Sequence, residues 1–138
     1  MEINKIKDII KNSGINPSIQ RIKIFEFLTN SLEHPTVDTI YKGLINEIPT
    51  LSRTTVYNTL KNFAKKNLIL EITIDEKEVR YDYNTSNHAH FKCIKCNKVF
   101  DIFSFDKFIK NDEIEGNKIY NQHFYFNGIC KECKKKNN

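Results

Sequence analysis

Apolar residues recur through the first half of the chain at the three- and four-residue spacing of buried helix faces. Ile3, Ile6, Ile9 and Ile10 predict a helix over residues 2–12 that ends before Gly14. Pro17 fits the first turn of a second helix, where its missing N–H costs little, and Ile19, Ile22, Phe25, Phe27 and Leu28 carry it to about Asn30. The His34-Pro35 step breaks the pattern, because a residue before proline is pushed out of the helical region. A third helix runs from Val37 to about Glu47 with Ile40, Tyr41, Leu44 and Ile45 inward. Ser52 is a good N-cap for a fourth, through about Lys66, whose apolar stripe is Val56, Leu60, Phe63 and Ala64. Arg53, Thr54, Tyr57, Asn58 and Lys61 are left on the opposite face.

The periodicity then changes. Residues 68–73 and 79–83 read as two strands joined at Asp75–Lys77. Helices ending in a basic one and followed by a hairpin form the order of a winged helix-turn-helix, which lays its last helix in the DNA major groove. A generic helical domain with a terminal hairpin fits the same pattern. Residues 84–87 are polar and turn-like, a hinge. Beyond them strands are expected at 89–94 and 98–103, a helix near 104–111 and a strand over 118–129. The expected class is α+β: a winged-helix domain over 1–83, a hinge at 84–87 and a small α/β domain over 88–138.

Composition narrows the setting. No apolar run resembles a signal peptide or nears the ~20 residues of a membrane helix, so a cytoplasmic protein with no membrane partner is expected. The net charge of +5 is compatible with nucleic-acid binding, but it does not concentrate in the helical half. Up to Asp82 there are 12 Lys/Arg against 11 Asp/Glu; after it, 10 against 6. Only the local run Arg53–Lys66, with four basic residues and no acidic one, singles out the fourth helix.

Cys93-x-x-Cys96 and Cys130-x-x-Cys133 are knuckles of identical spacing, 33 residues apart. Four thiolates at about 2.3 Å suit tetrahedral zinc, and in a reducing compartment paired cysteines bind metal more readily than they form disulfides. Redox cysteines or unpaired thiols are the competing readings. With four protein ligands the site would be closed and structural. His88 and His90 alternate with Ala89 and so share a face of an extended segment, about 7 Å apart. Asp82 lies across the hinge, and Asp101 falls on the strand that a hairpin through the first knuckle brings beside His90. These residues either form a mixed nitrogen–oxygen site for Fe(II), Mn(II) or Zn(II), or are unrelated surface polar groups.

The string resembles the ferric uptake regulator (Fur) family over nearly its whole length. The matching pieces are Pro17-x-x-Gln20-Arg21, then His34-Pro35-Thr36-Val37-Asp38-x-Ile40-Tyr41, then Ser52-x-x-Thr55-Val56-Tyr57-Asn58-x-Leu60. His88-x-His90-Phe91-x-Cys93-x-x-Cys96 and the second knuckle complete the set. The resemblance implies a homodimeric repressor of double-stranded DNA that reads an AT-rich inverted repeat through Arg53, Thr54, Tyr57, Asn58 and Lys61. Residues 88–138 become a dimerisation and metal-binding domain. Each subunit would carry one structural Zn(II) on Cys93, Cys96, Cys130 and Cys133. It would also carry one regulatory Fe(II) or Mn(II) on His34, Asp82, His88, His90 and Asp101; His34 enters by resemblance alone. Asp101, in place of the Glu usual in iron sensors, and Asn58 favour the peroxide-responsive (PerR) branch, in which Fe(II) and peroxide oxidise a ligand histidine, here His34 or His88. An iron-responsive or zinc-responsive repressor is the alternative, and a non-haem iron enzyme a remote one. Ala89 between the two histidines implies that a further family metal site is absent, which makes His123 a solvated or core residue.

Overall fold

The computed structural model describes residues 1–75 and 77–136. The chain divides into two units, Met1–Thr85 and Ser86–Asn138. The first holds helices α1 (Ile3–Asn12), α2 (Ile19–Thr29), α3 (Val37–Leu44) and α4 (Arg53–Lys65), then strands β1 (Leu70–Ile72) and β2 (Arg80–Asp82). Three of the helices start on hydroxyl caps: Ser18, Thr36 and Ser52 accept from the backbone N–H of Arg21, Thr39 and Thr55. The cap at Ser18 puts Pro17 outside α2, so the expected start in Pro17 is early. Helix α3 also stops at Leu44, short of Glu47, where the Ile48 N–H turns back to the Leu44 carbonyl at 2.8 Å.

The helical faces meet as their spacing requires. Ile6 and Ile10 of α1, Ile24, Phe25 and Leu28 of α2, Ile40 and Leu44 of α3, and Val56, Leu60 and Phe63 of α4 form one core, closed by Ile69 and Tyr81. Phe25 and Phe63 pack edge to face, ring centroids 5.5 Å apart. Strands β1 and β2 pair antiparallel with Leu70 opposite Asp82. This is the winged helix-turn-helix order. The wing turn expected at Asp75–Lys77 includes Glu76, which lies outside the described residues, as do residues 137 and 138.

The second unit holds β3 (Ala89–Cys93), β4 (Val99–Ile102), β5 (Glu113–Ile114), β6 (Asn117–Lys118), β7 (Tyr125–Gly128) and α5 (Lys131–Lys136). The sheet order is β4-β3-β7, with β3 antiparallel to β4 and parallel to β7. Glu115 and Gly116, with φ of 49° and 82°, turn the small β5–β6 hairpin. The class is α+β, but the helix expected near 104–111 is not formed. Phe105 instead packs against Phe108, Phe124 and Phe126, with centroids 4.7–5.7 Å away. The Gln122 side-chain amide takes both the N–H and the C=O of Ile109, each at 2.7 Å, so backbone groups a helix would need are already bonded. The single strand expected over 118–129 is likewise divided into β6 and β7.

Phe63 is fully buried at the centre of the first unit. Phe63→Ala is expected to destabilise that unit by about 3–5 kcal/mol, a large share of a small domain's stability. Denaturant unfolding followed by circular dichroism checks this; a loss under ~1 kcal/mol would contradict the packing described.

Candidate metal centres and nucleic-acid interface

In the second unit the two knuckles meet because β3 and β7 run parallel. Their register sets Cys93 opposite Gly128, and the Ile94 N–H bonds the Gly128 carbonyl at 2.8 Å. Cys130 follows two residues after β7, and α5 returns Cys133 to the same place. The first knuckle turns through Asn97, whose φ of 64° is one that asparagine tolerates. All four cysteines are free thiols, and their Sγ atoms lie within 4.8 Å of one another. A tetrahedron with bonds of about 2.3 Å has S···S edges of about 3.8 Å. The Cys96–Cys130 Sγ separation is 3.8 Å.

The backbone is arranged for thiolates. Cys93 Sγ accepts from the N–H of Cys96 at 3.5 Å and of Cys130 at 3.3 Å, and Cys130 Sγ from Cys133 at 3.4 Å. The Cys96 and Cys130 N–H bonds bring the Cys93 thiol down to about 6 against the opposing effect of burial. Cys133 is pushed up to about 12, chiefly by sharing its hydrogen with Cys130. One thiolate is favoured and a second beside it opposed, the behaviour of a cluster that needs a cation before all four sulfurs carry charge. The donor set fits zinc.

His88, His90 and Asp101 also converge within this unit. The β3–β4 register pairs His90 with Asp101, and His88 sits on the same side of the chain, its ring centroid 4.5 Å from that of His90. Asp101 Oδ1 lies 3.0 Å from His88 Nε2 and 3.4 Å from His90 Nε2. His88 Nδ1 is 2.7 Å from the Ser86 carbonyl, an acceptor, so Nδ1 is placed to donate and Nε2 is the ring nitrogen turned toward the carboxylate. A second ring nitrogen donating to a backbone carbonyl is the support that metal-bound imidazoles use. Phe103 stacks on the His88 ring at 4.9 Å. His123 is exposed beside Tyr125 and stands outside this group.

The first unit brings His34 and Asp82 together. Strand β2 docks on the segment before α3: the Tyr81 N–H bonds the Pro35 carbonyl at 3.0 Å, and Arg80 Nη1 reaches the Glu33 and His34 carbonyls at 3.2 and 3.4 Å. Both side chains are buried, with His34 Nδ1 3.7 Å from Asp82 Oδ2. His34 has φ of 52°, a left-handed conformation that costs a non-glycine residue energy and that the surrounding bonds hold. Proline spacing marked a break here, but not its handedness.

On α4 the side chains of Arg53, Thr54, Tyr57, Asn58 and Lys61 are all exposed. Thr59, which the apolar stripe left out, is buried with Val56, Leu60 and Phe63. Lys61 Nζ lies 3.0 Å from Glu71 of β1, a pairing that raises the Lys61 pKa. A polar cleft of about 520 Å³ lies between the start of α2 and α4, lined by Gln20, Arg21, Asn58 and Asn62 among others. Arg53 is bonded to Asp38 of α3, a partner 15 residues away that helical spacing did not suggest. Lys42 first and Arg53 second hold the Asp38 carboxyl below its ordinary range.

The chain matches the family model described as "Ferric uptake regulator family" over residues 12–123. It is 36% identical over 144 residues to the "Peroxide operon regulator" of Bacillus subtilis, covering 99% of this chain and 97% of the relative. It is 32% identical to the "Peroxide-responsive repressor PerR" of Staphylococcus epidermidis, covering 94% and 88%. Among solved structures, the ferric uptake regulator of Helicobacter pylori superposes with a TM-score of 0.71 over 97% of this chain and 95% of that one; at 22% identity this shows the fold. PerR from Streptococcus pyogenes superposes with a TM-score of 0.55 at 26% identity, covering 95% and 92%. The chain belongs to the ferric uptake regulator family: it is a metal-dependent transcriptional regulator similar to peroxide-responsive repressors, and not an enzyme.

Proposed function

We propose that this protein is a homodimeric, cytoplasmic repressor that leaves its operator when peroxide oxidises a ligand histidine. One observation carries the reading. Three buried imidazoles and two carboxylates gather as half-sets, His34 with Asp82 and His88 with His90 and Asp101, while all four cysteines are taken by a separate cluster. The likeness to the peroxide operon regulator of Bacillus subtilis supports the same reading.

On this proposal Cys93, Cys96, Cys130 and Cys133 hold one Zn(II) per subunit, a closed site that maintains the second unit. The five nitrogen and oxygen donors together hold one Fe(II) or Mn(II), a set those metals accept. Fe(II), when bound, supplies the electron that splits peroxide. The chain's part would be to present the His34 and His88 rings among the donors, so that a ring carbon of one exchanges its C–H bond for a bond to one peroxide oxygen while the other oxygen leaves as water. An oxidised ring is a poorer donor, the two half-sets cease to share an ion, and the DNA-binding form is lost.

The operator is an AT-rich inverted repeat read by α4 through Arg53, Thr54, Tyr57, Asn58 and Lys61, and two-fold symmetry requires two copies of the chain. The composition of the second unit supports a dimer. None of its seven phenylalanines is buried in the single chain. Its buried apolar residues, among those described, are Ala89, Cys93, Val99 and Cys130. A groove lined by Phe91, Phe100, Ile102 and Ile129 has a volume of about 740 Å³.

Three outcomes test the proposal. Protein loaded with Fe(II) is expected to lose operator binding on adding peroxide, with a one-oxygen mass gain on a His34 or His88 peptide, while Mn(II)-loaded protein keeps binding. Identical behaviour with both metals would overturn peroxide sensing and leave an iron or zinc sensor. Cys130→Ser is expected to remove one zinc per chain by elemental analysis and to unfold the second unit, because structural zinc supplies folding free energy; retained zinc would refute the assignment. Asn58→Ala should relax sequence preference at one position at a cost of about 1–3 kcal/mol, whereas Lys61→Ala should weaken all duplexes and lower the salt slope by about 1. Binding by both variants that matches the wild type would count against α4 as the reading helix.

A further inference from the structure

Asp38 lies in the His34–Tyr41 segment, yet it is neither one of the proposed metal ligands nor part of the core. Its Oδ1 accepts from Arg53 Nε at 3.0 Å and from Arg53 Nη2 at 2.9 Å, and its Oδ2 takes Lys42 Nζ at 2.9 Å. The Arg53 Cζ atom stands 4.3 Å from the centroid of the Tyr41 ring. The guanidinium is therefore held along one edge by a carboxylate and across one face by an aromatic ring.

Arg53 is the first residue of α4. A cation there opposes the helix dipole, and the first turn of α4 has no acidic residue to offset it. The counter-charge comes from α3 instead. The Arg53 and Asp38 side chains are 56% and 45% exposed, and exposed pairs of this kind contribute little to stability. What the arrangement does accomplish is to remove rotamer freedom from a long side chain at the end of the helix assigned to DNA. With Nε and one hydrogen of Nη2 committed to Asp38, the guanidinium keeps an end-on pair of N–H groups, one on each Nη. That pair matches the O6 and N7 acceptors of guanine in the major groove.

We propose that Asp38, with Tyr41 beneath the guanidinium, is a positioning residue that aims Arg53 at a guanine edge in the operator. The inference rests on the reading that α4 enters the major groove. Its sign is distinctive. A carboxylate beside DNA repels phosphate, so an Asp38 that acted only through its charge would tighten binding to every duplex when removed. An Asp38 that aims Arg53 would weaken binding to the operator alone.

The test uses the full-length, Mn(II)-loaded protein and two probes: the duplex that the wild type enriches from a random-sequence library, and a scrambled duplex of the same composition. Asp38→Ala and the isosteric Asp38→Asn are expected to lose about tenfold in affinity for the enriched duplex. Affinity for the scrambled duplex should hold or rise, and repeated selection should show relaxed preference at one base pair per half-site. Arg53→Ala is expected to show the same loss, and adding Asp38→Ala to it should cost nothing further. If both Asp38 variants keep or gain affinity for the enriched duplex while Arg53→Ala loses it, the positioning role is overturned and the α4 reading stands. Equal weakening of both duplexes by Arg53→Ala identifies a phosphate contact and overturns the guanine assignment. Unchanged binding by Arg53→Ala removes the DNA role of Arg53 and this inference with it.

Discussion

Strand β3 is hydrogen-bonded along both edges, and the two donor clusters of the second unit both depend on that. Its antiparallel edge fixes His90 opposite Asp101; its parallel edge fixes Cys93 opposite Gly128, next to the second knuckle. Side chains alternate along a strand, so a slip of one residue would turn every donor to the wrong face. The register is held by what each partner strand brings. Gly128 lies so near Phe91 that an added Cβ would fall 3.1 Å from the ring, which leaves little room for a larger residue at that position. The two candidate metal centres are in this sense one piece of β-structure, and anything that moves β7 disturbs the sulfur cluster and the imidazole pair together.

The first unit reaches its pair of donors by a different route. His34 and Asp82 are 48 residues apart in sequence, and they meet because β2 docks on the loop before α3 through the Pro35 and His34 carbonyls. The left-handed backbone at His34 stores strain, and Pro35 prevents its release into a helix. Strain of this kind persists where neighbouring bonds over-determine it. Here those bonds come from β2, so the geometry of a candidate ligand and the placement of the β1–β2 hairpin share the same few contacts.

The helical half of the chain was largely legible because its code is local. Apolar spacing, the Ser52 cap and the proline break located four helices and the hairpin, with the start of α2 placed early, the end of α3 late and both strands drawn longer than they are. The doubled Cys-x-x-Cys is equally local, and the pairing of His90 with Asp101 followed from a short hairpin. The helix expected near 104–111 failed because its phenylalanines answer to residues far along the chain, Phe124 and Phe126, and because Gln122 satisfies the backbone of Ile109. The parallel β3–β7 pairing and the Asp38–Arg53 contact were illegible for the same reason. Each joins segments whose separation carries no periodic signal. His34 shows the other limit: its role was suggested by resemblance, and no spacing argument would have paired it with Asp82.

The division of donors between units bears on how a metal could act as a signal. A ligand shifts an equilibrium only by its differential affinity for the two states. Five donors on one rigid element would bind the ion whatever the rest of the chain did, and binding would then report nothing. His34 and Asp82 belong to one unit and His88, His90 and Asp101 to the other; on the proposed reading each half offers too few donors to bind well by itself, and only their combination does. To carry a population from about 1:99 to 99:1 the combined set must out-bind the separate halves by about 10⁴-fold. Loss of even one imidazole donor removes a sizeable part of that difference. On the proposed reading, oxidation at a single ring would therefore suffice to release the repressor while the rest of its fold remains intact.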